Sequence, residues 1–361
     1  MSIIESFAIY TIRRPASSML ATTYGPAEET FSHVLVCLKA RDGAKGWGEA
    51  TPLPDFTGET ASSIRIILEE ELLPTLIGME SGDITEAHRR MDAAIHGNTA
   101  AKAAADMALY DLTARALGVP EYVLLGGLCR GRVGVNRHIG ITPKDEAVRL
   151  ALAYVSEGYT TLKLKVGRDP EEDVGRVKAV RDALGGSVNL RVDANQGYDL
   201  ATARRVLRSL ESEDLEFFEQ PLNRDDARGL RLLRETSGVR IAADESLGCV
   251  HDAIVLAENH CVDVFIIKLI KLGGLKPALD VAAIAKATGI RCVVTSVFDT
   301  QLGAAHCLHL AAALPESLSC DLTCYASQPG MAESCHSLAR GAIAIGIEAG
   351  CGVTRLSELS L

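Results

Sequence analysis

From residue 132 onward the chain repeats one pattern eight times: a short apolar strand, then a stretch with helical spacing. The strands read "RVGVNRHIG" (132–140), "TLKLKV" (161–166), "NLRVDAN" (189–195), "LEFFEQP" (215–221), "RIAADES" (240–246), "VDVFIIKL" (262–269), "RCVVTSV" (291–297) and "SLSCDL" (317–322). Helical runs such as "DPEEDVGRVKAVRDALG" and "LKPALDVAAIAKATG" fit between them, and the units recur roughly every 21 to 30 residues. Eight such units in a row favour a closed α/β barrel of parallel strands over an open doubly wound sheet. The spatial order of the strands is not written in the sequence, so the open sheet stands as the alternative.

The stretch before about residue 125 has a different rhythm. "SHVLVCLKA" (32–40) alternates like a strand, "RDGAKG" reads as a turn, and a short strand is expected around Trp47. Two helical runs follow, "TASSIRIILEEELLPTLIG" and "GNTAAKAAADMALYDLTARALG". In the second, Ala103, Met107, Tyr110 and Ala114 share a face, Asn98 and Thr99 are candidate caps, and Gly118 with Pro120 marks the stop. Strands followed by helices predict a separate α+β domain.

Charged residues sit where a barrel core should be apolar. Asp193, Glu219, Asp244 and Lys268 lie at or near the C-terminal ends of successive strands, separated by 26, 25 and 24 residues. In a barrel those ends converge on the active-site rim, and buried charges there must be paired or bound to metal. Three carboxylates meeting at one point repel one another unless a cation lies between them. Ligation by oxygen alone, without His or Cys, fits Mg²⁺ or Mn²⁺ and argues against Zn²⁺. For any one of these acids a solvated loop charge is the ordinary reading; their shared position on consecutive strands favours the metal site.

"TLKLKVG" sends Lys163 and Lys165 to one side and Leu162, Leu164 and Val166 to the other. An exposed edge strand would explain two like charges, but the metal site offers a second account. Lys165 ends the strand before the first ligand and Lys268 the strand after the last, so a closed barrel sets them facing each other. Lys163, one pleat deeper, is expected to disfavour protonation of Lys165, and so is a nearby divalent cation. A lysine with lowered pKa serves as a general base. With a base on each face of a carbon beside a metal-bound carboxylate, one lysine removes a proton and the other returns it. That is racemisation or epimerisation; the same pair also suits β-elimination or cycloisomerisation.

The runs "GWGEATPL", "HGNTAAKAAADMALYDL", "LLGG", "KLKVG", "VDAN", "EQP", "ADES" and "IKLIKLGG" occur in an order that resembles the enolase superfamily, in its muconate-lactonizing-enzyme subgroup. The resemblance implies a modified TIM barrel, (β/α)7β, with an N-terminal α+β capping domain. It divides the chain into a cap at 1–125, a barrel at 126–325, and a segment at 326–361 that returns to the cap. It also implies Asp193, Glu219 and Asp244 as Mg²⁺ ligands, Lys165 and Lys268 as the acid–base pair, and a homo-oligomer.

Dipeptide epimerases of this subgroup resemble the chain in "LKLKVG" and hold a substrate ammonium group with an Asp-x-Asp pair at the last strand. Here "CDLTC" keeps the first acid as Asp321 but has Thr323 for the second, which leaves room for an N-acyl amino acid. Asp299 in "TSVFDTQLG" resembles an o-succinylbenzoate synthase feature and equally reads as the cap of the next helix. Family lids imply that Tyr24 (in "ATTYGPAEE") and Phe56 (in "PLPDFTGET") touch substrate, although ordinary surface turns fit these stretches as well. Asn195 joins Asp321, Asp299, Tyr24 and Phe56 as a substrate-side candidate. The expected function is epimerisation of a dipeptide or racemisation of an N-acyl amino acid, with a lyase or cycloisomerase as the alternative. A barrel that only binds a carboxylate needs no complete acid–base set, and this chain has one.

The formal charge of -10 argues against nucleic acid or an anionic membrane as partner and leaves a small-molecule carboxylate. No apolar run is long enough to cross a bilayer and "MSIIESFAIYTIRRP" lacks signal-peptide order, so a cytoplasmic protein is expected. The scattered cysteines, including the near pair Cys320 and Cys324, read as free thiols.

Overall fold

The computed structural model describes residues 2–15, 21–25, 30–296, 298–315, 317–322, 332–356 and 359–360. Its N-terminal sheet is antiparallel, with β1 (Ile4–Pro15), β2 (Thr30–Ala40) and β3 (Lys45–Ala50) in that order. The expected strands near 32–40 and Trp47 are present; β1, which the sequence reading passed over, supplies the outer partner of β2. Thr60 starts the next helix by accepting a hydrogen bond from the Ser63 N–H. The turns then widen and tighten before Leu76, where Pro74 removes a backbone donor.

The helix Thr99–Leu117 is buried along most of its length and packs on β3. Glycine is required opposite it: a Cβ on Gly48 would lie 2.0 Å from the Ala104 carbonyl oxygen. Gly118 ends the helix at φ 68°, as its sequence predicts, but Asn98 does not cap the start. Its side chain donates to the His96 carbonyl instead, and the Glu59 carboxylate accepts from the Ala100 and Ala101 N–H groups at 2.9 and 3.1 Å.

After β4 (Arg132–Gly134) come the parallel strands β5 (Arg137–Ile139), β6 (Thr161–Lys165), β7 (Asn189–Asp193), β8 (Leu215–Glu219), β9 (Ile241–Ala243), β10 (Val264–Ile267) and β11 (Arg291–Val294). They lie side by side in chain order, each followed by a helix, the last being Gln301–Ala313. Residues 317–321 close the ring through bridges Cys292 to Ser317, Thr295 to Asp321 and Cys320 to Val135. The result is the expected (β/α)7β barrel and not an open sheet. Alternation explains its layers: Leu162, Leu164, Leu190 and Val192 face the helices. Phe217, Ala242, Val264, Ile266, Val293 and Leu318 form a separate cluster inside the ring.

The C-terminal strands Ser337–Ala339 and Ala342–Ala344 pair onto β4. Cys351 and Val353 pack with Leu35, Cys37 and Trp47 of the N-terminal sheet. Among the described residues every cysteine is a free thiol, Cys320 included; Cys324 lies outside them.

Glu49, which ends "GWGE", joins the N-terminal sheet to the barrel. It is buried, and its carboxylate accepts from the Thr300 N–H at 2.8 Å, the Gly303 N–H at 2.9 Å and the Thr300 hydroxyl at 2.6 Å. His33 Nδ1 lies 2.9 Å away. Burial pushes the Glu49 pKa up, but His33 and the Thr300 groups outweigh it and bring it down to about 2. A carboxyl depressed on folding adds stability above its unfolded pKa of about 4.3 and loses it as the pH falls toward the folded value. Glu49→Gln is therefore expected to cost about 3 kcal/mol at pH 7, read from urea unfolding. The gap to the unsubstituted protein should narrow between pH 4.5 and pH 3; a gap independent of pH would assign the loss to packing.

Candidate active site

The inner face of β6 carries Thr161, Lys163 and Lys165, that of β7 Arg191 and Asp193, and that of β8 Phe217 and Glu219, because alternate residues share a face. The register sets Lys165 opposite Asp193, and Asp193 opposite Glu219. Lys165, Asp193 and Glu219 thus form one level across three neighbouring strands. In register Asp244 lies two residues beyond Ala242, the partner of Glu219.

Asp193, Glu219, Asp244 and Asp321 each meet a lysine. Lys165 Nζ donates to Asp193 Oδ2 at 2.6 Å and to Asn195 Oδ1 at 2.9 Å. Lys268 Nζ donates to Asp244 Oδ2 at 2.5 Å, and Lys271 Nζ to Asp244 Oδ1 at 2.6 Å. Lys163 Nζ reaches both Glu219 oxygens, at 2.8 and 2.9 Å, and Asp321 Oδ2 at 2.7 Å.

Each lysine of "KLK" is thus engaged by carboxylates, Lys165 by Asp193 and Lys163 by Glu219 and Asp321. Burial favours the neutral form of Lys163, but Asp321, Glu219 and Asp193 overcome it and raise its pKa well above the ordinary lysine value. Lys268 is likewise pushed down by burial and more strongly up by Asp244, Glu245 and Glu219. Burial also opposes ionisation of Asp193 and Asp244, yet Lys165 and Lys163 lower the first, and Lys268 and Lys271 the second. Glu219 goes the other way: burial, then the charge of Asp193, push its pKa well up.

One cavity of about 420 Å³ opens at this rim, between barrel and cap. Lys163, Lys165, Asp193, Asn195, Lys268 and Asp321 line it from the barrel, and Tyr24 and Phe56 from the cap. The Phe56 ring lies 4.3 Å from Lys268 Nζ, and the Tyr24 hydroxyl donates to Glu245 Oε1 at 2.6 Å. Glu219 and Asp244 are fully buried, bonded to the lysines of the cavity wall. Asp299 does not line the cavity, and it is not the helix cap either. Thr300 takes that position, accepting from the Leu302 N–H at 3.1 Å, because the carboxylate of Glu49 already occupies the helix start. Thr323 lies outside the described residues.

The sequence reading missed Glu245, Lys271, Asn136 and His138. Glu245 adjoins Asp244 in "ADES", and Lys271 follows Lys268 by one helical turn in "IKLIKLGG", a spacing that could have flagged it. Asn136 Nδ2 donates to Asp321 Oδ1, and His138 Nε2 lies 3.3 Å from Asp321 Oδ2. Burial brings the His138 pKa down to about 4 despite Asp321.

The donor chemistry of Asp193, Glu219 and Asp244 fits Mg²⁺: only oxygen is offered, and burial, then the Asp193 charge, oppose ionisation of Glu219, a cost that a cation beside it would relieve. Among the described residues no three acidic, imidazole or thiol groups enclose a common point, since each acid is drawn to a lysine.

Residues 9–126 match the mandelate racemase / muconate lactonizing enzyme N-terminal domain, and residues 146–358 match the enolase C-terminal domain-like family. The chain belongs to the enolase superfamily, in its muconate-lactonizing-enzyme subgroup. It is 34% identical over 304 residues to L-Ala-D/L-Glu epimerase of Bacillus subtilis, covering 83% of this chain and 81% of that one. With chloromuconate cycloisomerase of Pseudomonas sp. strain P51 it shares 36% identity over 307 residues, 84% and 81% of the two chains.

Two solved structures of this superfamily superpose with a TM-score of 0.94. One is dipeptide epimerase from Enterococcus faecalis V583 complexed with Mg and the dipeptide L-Leu-L-Tyr, 31% identical, covering 98% of this chain and 100% of the other. The second is N-succinyl Arg/Lys racemase from Bacillus cereus ATCC 14579, 29% identical over 99% and 96%. All four are isomerases, and this enolase-superfamily chain is an isomerase as well. The superfamily's chemistry, loss of a proton α to a carboxylate through an enediolate, fits its site. No described helix is long and apolar enough to cross a membrane.

Proposed function

We propose that this protein moves a proton at the α-carbon of an N-acylated amino acid, dipeptides included, by racemisation or epimerisation. The observation that carries the reading is that Lys165 and Lys268 line one cavity from β6 and from the end of β10. Three strands separate β6 from β10 one way round the ring, and β11, the 317–321 segment and β5 the other way, so the two ammonium groups approach from opposite walls. A carbon held between them presents one face to each.

One lysine, unprotonated, takes the α-proton, and the other delivers a proton to the opposite face. Asp193, Glu219 and Asp244 would hold Mg²⁺, which when bound supplies positive charge beside the substrate carboxylate; the epimerase structure complexed with Mg supports this choice. Phe56 and Tyr24 exclude water from above.

Asp321 bears on the acyl group. Its oxygens accept from Lys163 and Asn136, with His138 close by; burial pushes its pKa up, but Lys163, then His138 and Arg191, hold it well below the carboxylate range. An acid so engaged has little capacity for a substrate ammonium group, which favours an acyl group that carries no ammonium, such as the N-succinyl group named for the Bacillus cereus relative.

The test is incubation with Mg²⁺ in D₂O and pooled dipeptides, N-acyl amino acids, and succinylbenzoate-type and muconate-type acids. A one-unit mass gain with inversion at the α-carbon is expected in an N-acyl pool. Loss of water or formation of an isomeric lactone would replace this reading with a lyase or a cycloisomerase.

A further inference from the structure

Two pieces of the cap cover the cavity, and both lead to one side chain that the proton-transfer reading leaves without a role. The turn Pro54–Thr57 carries Phe56; it is four residues long and has no buried residue, too little to hold its own position. Arg224, in the loop after β8, grips it from outside, donating to the Asp55 carbonyl at 2.5 Å and the Phe56 carbonyl at 3.2 Å. The other piece, residues 21–25, carries Tyr24.

Between them stands Gln196, three residues beyond Asp193. Its Oε1 accepts from the Arg224 backbone N–H at 2.8 Å, and its Nε2 donates to the Tyr24 hydroxyl at 2.6 Å. The amide orientation is forced: a backbone N–H needs an acceptor, and the Tyr24 hydroxyl already spends its proton on Glu245. Gln196 is held at φ 67°, a left-handed conformation that costs a side-chain-bearing residue about 1 kcal/mol or more. That backbone is fixed from the barrel side, where the Gln196 N–H donates to the Gln220 carbonyl at 2.9 Å.

We propose that Gln196 is a positioning residue, a shared anchor that fastens both cover segments to the strand end carrying Asp193, so that they open and close together. The inference rests on reading the cavity as the place of proton transfer. The 21–25 segment has bonds of its own, from the Thr23 hydroxyl to the Asn195 carbonyl and from Arg168 to the Thr22 carbonyl. Gln196 is the anchor common to both pieces, and a shared anchor shuts both walls around a substrate at once, keeping Phe56 over Lys268 while Tyr24 stays on Glu245.

The test is hydrogen–deuterium exchange of the full chain with Mg²⁺, followed by steady-state kinetics. Gln196→Met keeps an unbranched side chain and removes both bonds; it is expected to raise exchange at least fivefold in both 21–25 and 53–58. Tyr24→Phe should loosen only the first segment and Arg224→Met only the second. For Gln196→Met a tenfold rise in KM with kcat within threefold is expected. Unchanged exchange in either segment of Gln196→Met would overturn the shared anchor, and so would a rise spread evenly over the barrel strands. Exchange needs no turnover, so a protein inactive on every pool would refute the proton-transfer reading while the exchange result still decides the role of Gln196.

Discussion

Lys165→Ala and Lys268→Ala should each lower α-proton transfer by about 10³-fold or more, within or above the range expected for a general acid or base. The two losses differ in kind. If each lysine serves one face, Lys165→Ala stops deuterium exchange from one epimer and Lys268→Ala from the other, while neither interconverts them. Chiral chromatography and mass spectrometry in D₂O, starting from each pure epimer, read this directly. Turnover equal to that of the unsubstituted protein in both variants would end the two-base mechanism. A large loss in only one variant would favour cycloisomerisation, where a single lysine moves the proton. Folding should survive both changes, because each removes a cation whose acid keeps or gains another partner: Asp193 retains Lys163 at 3.4 Å and Asp244 retains Lys271.

Glu219→Gln is expected to act in opposite directions on the metal-free and metal-loaded protein. Burial and the Asp193 charge raise the Glu219 pKa on folding, so without a cation the folded state binds more protons than the unfolded one above about pH 4.3. Stability of the metal-free protein therefore declines as the pH rises from there toward the raised value, and the glutamine, which never ionises, removes that decline. Thermal unfolding in EDTA between pH 5 and pH 8 should show a flatter profile for the variant. With Mg²⁺ the order reverses: the variant offers two carboxylates in place of three, and calorimetry should give an affinity about 100-fold weaker. Unchanged Mg²⁺ affinity would remove Glu219 from the ligand set.

The fold was legible because two periodicities are local. Alternation within "TLKLKV", "NLRVDAN" and "LEFFEQP" put Lys163, Lys165, Asp193 and Glu219 on one side of their strands, and the recurrence of strand and helix implied parallel neighbours. Once neighbours are in register those side chains meet, as Lys165, Asp193 and Glu219 do. Equal spacing along the chain did not give equal register: Asp244 lies two residues beyond the Glu219 partner Ala242, because the helix and loops before β9 set the pairing. Of the two readings of Asp299, the cap fails because Thr300 takes that position and the carboxylate at the helix start comes from 251 residues away.

By itself the sequence determined where most barrel strands lie and which of their side chains enter the ring, since backbone pleating is a matter of nearest neighbours. "RVGVNRHIG" it read as one strand, whereas Arg132–Gly134 pairs with the C-terminal strands and only Arg137–Ile139 joins the barrel. Only the tertiary structure decided what those side chains do to one another. Lys163 donates to Glu219 and Asp321, Glu49 closes the start of a barrel helix, and Gln196 bonds Tyr24 of the cap and Arg224 of the loop after β8. Each of these contacts joins residues far apart in the chain, at least 28 positions and up to 254, and charge pairing depends on distances that no local pattern encodes.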